Sequence, residues 1–437
     1  VPLHPIAQGE HLQLGPFDIE FISMAHSIPE SCALAIRTPL GTVLHTGDWK
    51  LDPDPIVGAK TDETRLRQIG EEGVLALISD STNILREGIS PSEGDVAKTL
   101  REIILESTGR VVVTTFASNV ARIKAVAVAA QEAGRSVVLV GRAMDKVVAA
   151  ARECGFLDGL PPFLGQDAFD RLPRENVVVL ATGSQGEGRA AMARIALDEH
   201  PAVRLASGDR VIFSSRPIPG NEKSVYTVIN GLAKQGIEIL TDRTHLVHAS
   251  GHPRRGEVSQ IYDWIKPKIA IPAHGEEQHL REHAAFAKAQ GVETVITARN
   301  GDVVVLAPGR AAIDDQIPYG RLYTDGQLIL AQNDDAIAQR VKLAFAGVIS
   351  VGVAMNAKGE LAGDPDMVMA GVPSRTIDGR AMDEFVDKVI FETLDSLPRA
   401  RRRDPDAVST SLEKAIRNSL RAVWGKKPVV QVLVMLV

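Results

Sequence analysis

The stretch RVVVTTFASNVARIKAVAVAAQEAGRSVVLVG, residues 110–141, decides the fold. It opens with a short β-branched run. From Asn119 to about Ala133, small apolar residues recur at helical spacing, and Gly134 closes them. A second β-branched run starts at Ser136. Short β-branched runs read as strands, and the longer periodic segment reads as a helix. A strand returned to the sheet through a helix is a parallel crossover. The texture repeats. A helix is expected near 143–153. NVVVLATG (176–183) precedes one near 187–198. RVIFSS (210–215) leads through Pro217, Pro219 and Gly220 to one near 222–234, and IEIL follows. Repeated strand–helix units imply an α/β chain with a doubly wound, mostly parallel sheet.

Upstream, FDIEFISMA (17–25) alternates apolar and polar residues. CALAIRTPLGTVLHTGD (32–48) reads as two short strands around a Pro-Leu-Gly turn. VLALISD (74–80) has the pattern of a strand buried on both faces. Downstream of His245 the chain is loop-rich and rich in histidine. Strand-like KIAIPAH (268–274) then precedes a helix over 276–290. Residues 311–343 read as short elements and turns. The last part is a separate α+β unit, with strands over 344–355 and 428–435 and helices near 379–394 and 407–424. The basic run Arg399–Arg403 lies between those helices.

At 437 residues the chain has room for about three domains. It carries 44% hydrophobic and 24% charged residues, the composition of a soluble globular protein. No apolar run is long enough to span a membrane, and the first residues carry no signal-peptide pattern. Cys32 and Cys154 form no Cys-x-x-Cys pair, which argues against a disulfide framework or a thiolate zinc site. A cytoplasmic location fits. The net charge of −6 argues against a nonspecific polyanion binder. A local groove of Arg and backbone N–H groups can still hold phosphate.

Six of the eleven histidines fall within 245–283. Imidazole binds metals and moves protons near neutral pH, so clustering points to a site. His26 and Asp48 follow strands, and in open α/β folds sites form at strand ends. Gly47 lets the backbone turn tightly before Asp48. His248-Ala249-Ser250-Gly251-His252 places two imidazoles on one small loop, and His274 ends a strand. Taken singly, each of these residues can be read as a satisfied or solvated polar group, and for His26 and Asp48 the two readings weigh equally. His4, His11, His200, His279 and His283 read as surface residues, and His45 as structural.

Seven segments then carry a resemblance: Ala-His26-Ser-Ile-Pro, Thr-Gly-Asp48, Ser-Asp80-Ser-Thr, Thr-Thr-Phe-Ala-Ser118-Asn119, Ser215-Arg216-Pro-Ile-Pro-Gly-Asn221, His248-Ala-Ser-Gly-His252 and Pro-Ala-His274-Gly-Glu. In this order they resemble the ribonuclease J family of metallo-β-lactamase/β-CASP nucleases. The resemblance implies an αββα sandwich, incomplete at its N-terminus, over 1–92 and 248–330. A Rossmann-like β-CASP domain over 93–247 interrupts it. A linker (331–343) and a small α+β C-terminal domain (344–437) follow.

The same resemblance implies roles. His26, Asp48 and His274 become metal ligands, with Asp48 bridging two ions. The ions are zinc, with manganese also suited. Asp80 orients the site, and His252 is the general acid. Residues 248–252 form a phosphate loop, with Ser118, Asn119, Ser215 and Arg216 lining the nucleotide channel. The activity implied is 5′-to-3′ exonucleolytic and endonucleolytic cleavage of RNA in processing and decay. Metal-activated hydroxide attacks phosphorus, and RNA with a 5′-monophosphate is preferred. A homodimer through the C-terminal domain, RNA-decay partners, and a structural calcium near Asp325 are further implications.

The family's His-x-His-x-Asp-His motif occurs nowhere in these residues. The expectation is a chain truncated at its start and poorly active alone, with an exposed edge or an uncovered face on the strand that ends at Ala25. Two other readings follow: a noncatalytic RNA-binding scaffold, or another β-CASP nuclease. Gly183-Ser-Gln-Gly-Glu-Gly188 is too loose a glycine cluster to indicate a dinucleotide enzyme.

Overall fold

The computed structural model of the chain describes residues 3–437. It divides into two compact units, one running to Ile317 and the other from Pro318 to Val437.

The first unit carries two sheets. Strands β1 (His11–Leu14), β2 (Phe17–Ser23), β3 (Cys32–Thr38) and β4 (Gly41–His45) form an antiparallel meander. After helix α1 (Glu63–Glu72), β5 (Ala76–Asp80) pairs parallel to β4. The alternation in β2 and β3 sends Ile22, Ala33 and Ala35 into a core shared with Leu66 and Ile69 of α1.

Residues 93–240 build the second sheet. Its elements in chain order are α2 (Glu93–Glu106), β6 (Val111–Thr114), α3 (Val120–Glu132), β7 (Ser136–Val140), α4 (Arg142–Glu153), β8 (Val177–Ala181), α5 (Ala191–Ala196), β9 (Arg210–Phe213), α6 (Glu222–Lys234) and β10 (Glu238–Leu240). The strands are all parallel, in the order β10-β9-β6-β8-β7. Successive valines of β6, β7 and β8 serve opposite faces, which is why these strands read as continuous apolar runs. Helices α2, α3 and α4 cover one face. Helices α5 and α6 cover the other. The chain then returns to the first sheet through α7 (Arg255–Ile265), β11 (Ile269–Ala273), α8 (Glu277–Ala289) and β12 (Thr294–Val295). That sheet has the order β1-β2-β3-β4-β5-β11-β12. A hairpin of β13 (Asp302–Val305) and β14 (Ala312–Gln316) ends the unit.

The second unit holds a hairpin of β15 (Leu322–Asp325) and β16 (Leu328–Ala331), then helix α9 (Asp335–Ala346). A three-stranded sheet is made of β17 (Val348–Met355), β18 (Asp366–Ala370) and β19 (Val429–Leu436). Helices α10 (Met382–Ser396), α11 (Arg399–Arg402) and α12 (Pro405–Trp424) connect β18 to β19. Val386, Ile390, Leu412 and Ile416 of α10 and α12 pack against Ile349 and Val351 of β17.

Four expectations change. Strand β2 lies between β1 and β3, so the edge expected to be exposed is paired. The helix expected over 187–198 covers only Ala191–Ala196, because the glycine-rich residues before it stay in turns. Residues 344–346 are helical. Asp334 caps α9 through Ala336 N–H, and Gly347 ends it at φ 70°, so the strand starts at Val348. Strand β18 was not anticipated. Its exposed and half-buried residues alternate, so too little apolar signal marks it.

Candidate metal and catalytic site

Strands β4, β5 and β11 run parallel, and β2 shares their direction through two antiparallel steps. Their C-terminal ends therefore meet on one rim. His26 follows β2, Asp48 follows β4, Asp80 ends β5 and His274 follows β11. Gly47 turns the chain with φ 61°, a conformation glycine adopts freely, and this brings Asp48 over the rim.

The two carboxylate oxygens of Asp48 face different histidines. Oδ2 lies 4.0 Å from His26 Nε2, and Oδ1 lies 3.5 Å from His274 Nε2. His252 sits between them, with ring centroids 5.1 Å from His26 and 5.3 Å from His274. Two sets of potential donor atoms, His26 with Asp48 and His252, and Asp80 with His252 and His274, each fall within 4.8 Å.

The hydrogen bonds decide which nitrogens are free. His26 Nδ1 is 2.6 Å from the Gly251 carbonyl, which can only accept. His26 therefore donates from Nδ1, and Nε2 keeps its lone pair, which accepts from the Ser27 hydroxyl at 3.2 Å. A carbonyl behind an imidazole in this way is the usual support of a metal-binding histidine. The approach requires glycine, because a Cβ on Gly251 would lie 2.5 Å from His26 Cε1. Burial holds His26 below the usual histidine pKa, keeping it neutral.

His252 Nδ1 is 2.6 Å from Asp80 Oδ2, which leaves Nε2 free. Burial disfavours the charged imidazole, but the hydrogen bond and charge of Asp80 outweigh it, and the His252 pKa is raised. Asp80 is buried, which alone would push its carboxyl up. The bond and charge of His252 and the Thr82 N–H pull it below its ordinary value.

The 247–252 loop is held from several sides. The Val247 carbonyl accepts from Arg122 Nη1 at 2.8 Å and from Ser214 Oγ at 2.6 Å. Asn83 Nδ2 donates to Ser250 Oγ at 2.9 Å and to the His252 carbonyl at 3.1 Å, and Ser90 Oγ donates to the same carbonyl at 3.0 Å. Glu257, fully buried, accepts from the N–H groups of Leu51, Ser90 and Arg254. Arg122 is also buried and pairs with Glu93 at 2.9 Å. Burial drives His248 down to about 3, with Arg122, Arg216 and Lys50 adding to it, so this imidazole is neutral. Asn83, Ser90, Arg122 and Glu257 were not singled out in sequence. Only Asn83 carried a signal, three residues beyond Asp80.

Of the side chains expected along a channel, Ser118 is exposed and Arg216 half-buried, paired with Asp242 at 2.9 Å. Asn119 and Ser215 are buried and already bonded. Asn119 caps α3 by accepting from Arg122 N–H, and Ser215 Oγ donates to the Ser184 carbonyl. Ala249, within the loop, is buried. Two expected surface histidines are in fact buried. His283 lies between Ser81 Oγ and Tyr262 OH, and His200 accepts the N–H groups of Ala202 and Val203. A helical or turn position reveals nothing about a partner distant in sequence, hence the misreading. Asp325 pairs with Arg340 at 2.7 Å, and no donor set among the described residues includes it.

Comparison with known proteins adds a second line. Residues 108–232 match the family described as Ribonuclease J, beta-CASP domain. Residues 236–297 match the Zn-dependent metallo-hydrolase RNA specificity domain, and 335–437 match the Ribonuclease J C-terminal domain. The chain is 50% identical over 434 residues to Ribonuclease J of Sinorhizobium meliloti, covering 99% of this chain and 77% of that protein. Against Ribonuclease J of Mycolicibacterium smegmatis it is 36% identical over 429 residues, covering 97% and 76%. Against that of Corynebacterium glutamicum it is 38% identical over 420 residues, covering 95% and 58%.

Proposed function

The chain belongs to the ribonuclease J family of metal-dependent ribonucleases, and from that premise we propose how its residues divide the work on RNA. His26, Asp48 and His274 hold divalent metal, either zinc or manganese. Their donors fit such ions: imidazole nitrogens and a carboxylate, with the His26 Nε2 lone pair kept by the Gly251 bond and met here only by the Ser27 hydroxyl. One oxygen of Asp48 faces each histidine, so this carboxylate can bridge two ions. A bound divalent ion would neutralise the phosphodiester and acidify a water.

The chain's own groups complete the chemistry. His252 gives its Nε2 proton to the leaving 3′ oxygen. Asp80 is a positioning residue that keeps the His252 proton at Nδ1 and raises the pKa of the ring. Residues 248–252 hold the phosphate next to the scissile one, with Ser118 and Arg216 along its approach. Asn119 and Ser215 shape that approach through the backbone. The activity is 5′-to-3′ exonucleolytic from a 5′-monophosphate, with internal cleavage. Residues 1–92 and 248–330 serve as the metallo-β-lactamase part and 93–247 as the β-CASP part. The C-terminal unit makes a homodimer. Its sheet leaves Val368, Leu433 and Met435 exposed, consistent with a partner there.

The observation that carries the reading is the placement of Asp48 between His26 and His274, with the Asp80–His252 pair beside them. Metal content by elemental mass spectrometry, with cleavage of a 5′-monophosphorylated RNA, tests it. Bound zinc or manganese together with cleavage is the expected result. RNA binding without metal or cleavage would favour a noncatalytic scaffold.

A further inference from the structure

A second crevice opens on the parallel sheet. Helix α4 leaves β7 towards one face and α5 leaves β8 towards the other. Neighbouring strands whose connections part in this way leave a crevice beyond their carboxyl ends, the usual place for a ligand in such sheets. A cavity of about 480 Å³ lies there, between Gly141 and Arg142 after β7 and Thr182 and Arg189 after β8. Mononucleotide-sized ligands occupy cavities of roughly 300–1,000 Å³.

Cationic side chains outnumber carboxylates in the lining. Arg142, Arg189 and Arg194 contribute three guanidinium groups. Arg142 and Arg189 are exposed and form no ion pair among the described residues. Two carboxylates also line the cavity, Asp145 and Asp167, and Arg171 engages Asp167 at 3.2 Å. Helix α4 begins at the cavity with Gly141, a cap that offers no side chain to its first N–H groups.

His200 supplies the independent observation. It lines the same cavity while only 6% exposed. Its Nδ1 accepts from Val203 N–H at 3.1 Å and Ala202 N–H at 3.3 Å. The ring proton is therefore on Nε2, a donor available to a molecule in the cavity. A ring N–H donor beside three guanidiniums suits an anionic acceptor.

The loop that follows β8 is also tied to the Arg216 segment. Gln185, in the loop between β8 and Arg189, donates from Nε2 to the Arg216 carbonyl and accepts from Ile218 N–H. We propose that this cavity binds the phosphate of a nucleotide, supplied either by a more distant residue of the RNA chain or by a free 5′-mononucleotide. The first source rests on the nuclease reading above, and the second does not.

The test uses the full chain and the double variant Arg142→Glu/Arg189→Glu. Both positions are exposed, and an unchanged melting temperature shows that the fold survives. The probes are 5′-UMP and a 5′-phosphorylated single-stranded 12-nucleotide RNA, with EDTA present to prevent cleavage. Weakening of UMP binding by about tenfold or more assigns the cavity to a free mononucleotide. Weakening of RNA binding alone, with a shallower salt dependence, assigns it to the RNA backbone. Equal binding of both probes by variant and parent overturns the proposal. Cleavage by a His252→Gln variant is measured in parallel. Its persistence would sink the catalytic reading while leaving the binding result to stand.

Discussion

Asp80 and His252 are 172 residues apart in the chain, yet His252 Nδ1 lies 2.6 Å from Asp80 Oδ2. The carboxylate is buried and the imidazole half-buried. A carboxylate behind a histidine fixes its tautomer and stabilises its protonated form. An Asp80→Asn substitution keeps the shape and removes the charge. The expected result is a fall in kcat of about 10²–10⁴-fold, with RNA affinity changed by no more than about twofold. The pH profile also moves: the group that must be protonated loses its raised pKa, so activity declines at lower pH than in the parent. Single-turnover rates between pH 5 and 9 check both parts. An unchanged kcat would remove His252 from the reaction.

Gly251 predicts a metal phenotype rather than a folding one. Its missing side chain lets His26 reach the Gly251 carbonyl, and a Cβ there would come within 2.7 Å of His26 Nδ1. A Gly251→Ala chain should turn the His26 ring and lose metal affinity by about 10–100-fold, the usual effect of disturbing the support of a ligand. Competition with a chromogenic chelator measures this. Retained affinity would mean His26 is not a ligand.

Arg122 is fully buried and pairs with Glu93, while its Nη1 holds the Val247 carbonyl before the His248–His252 loop. Arg122→Met leaves buried Glu93 with only the more distant Lys50, at 3.9 Å, for a cationic partner. A stability loss of about 3–5 kcal/mol is expected in urea denaturation. Adding Glu93→Gln removes the stranded charge and should restore part of it. If the double variant is no better than the single one, the pair is not what stabilises this junction.

Glu20 sets an acid limit on stability. The hydrogen bond from Arg65, then that from Arg37, hold its carboxyl at about 2, against the opposing push of burial. The folded value lies below the ordinary one near 4.3, so the stabilisation is complete above that pH and is lost as pH falls towards 2. A Glu20→Gln chain should be less stable at pH 7 by about 1–2 kcal/mol, after allowing for solvent screening of the partly exposed guanidiniums. Its stability should then depend less on pH between about 4.3 and 2. Thermal melts across that range decide it. Parallel curves for parent and variant would mean that the guanidiniums do not depress Glu20.

Much of the fold was legible because its signals are local. Asn119 caps α3 and Gly134 follows its end, and both are read within one turn of chain. The valine runs of β6, β7 and β8 announce burial on both faces without reference to any partner. The C-terminal helices α10 and α12 were placed to within a few residues for the same reason. Helix α9 was lost because most of it lay in a stretch read as short elements and turns, and its last three residues in one read as a strand. Strand β18 was lost because only alternate residues are even half-buried.

The candidate site divides along the same line. Sequence by itself determined that His26, Asp48, Asp80 and His274 stand at strand ends, since strand limits follow from short-range sterics and apolar pattern. It also determined that His248 and His252 share a loop. Tertiary structure alone decided that Asp48 turns one oxygen to His26 and the other to His274, and that Asp80 meets His252. It alone decided that His200 and His283 are buried, and that Arg122 and Asn83 brace a loop more than a hundred residues away. These contacts depend on the order in which strands join a sheet. That order is set by packing both faces of the whole sheet, which no local run of residues encodes.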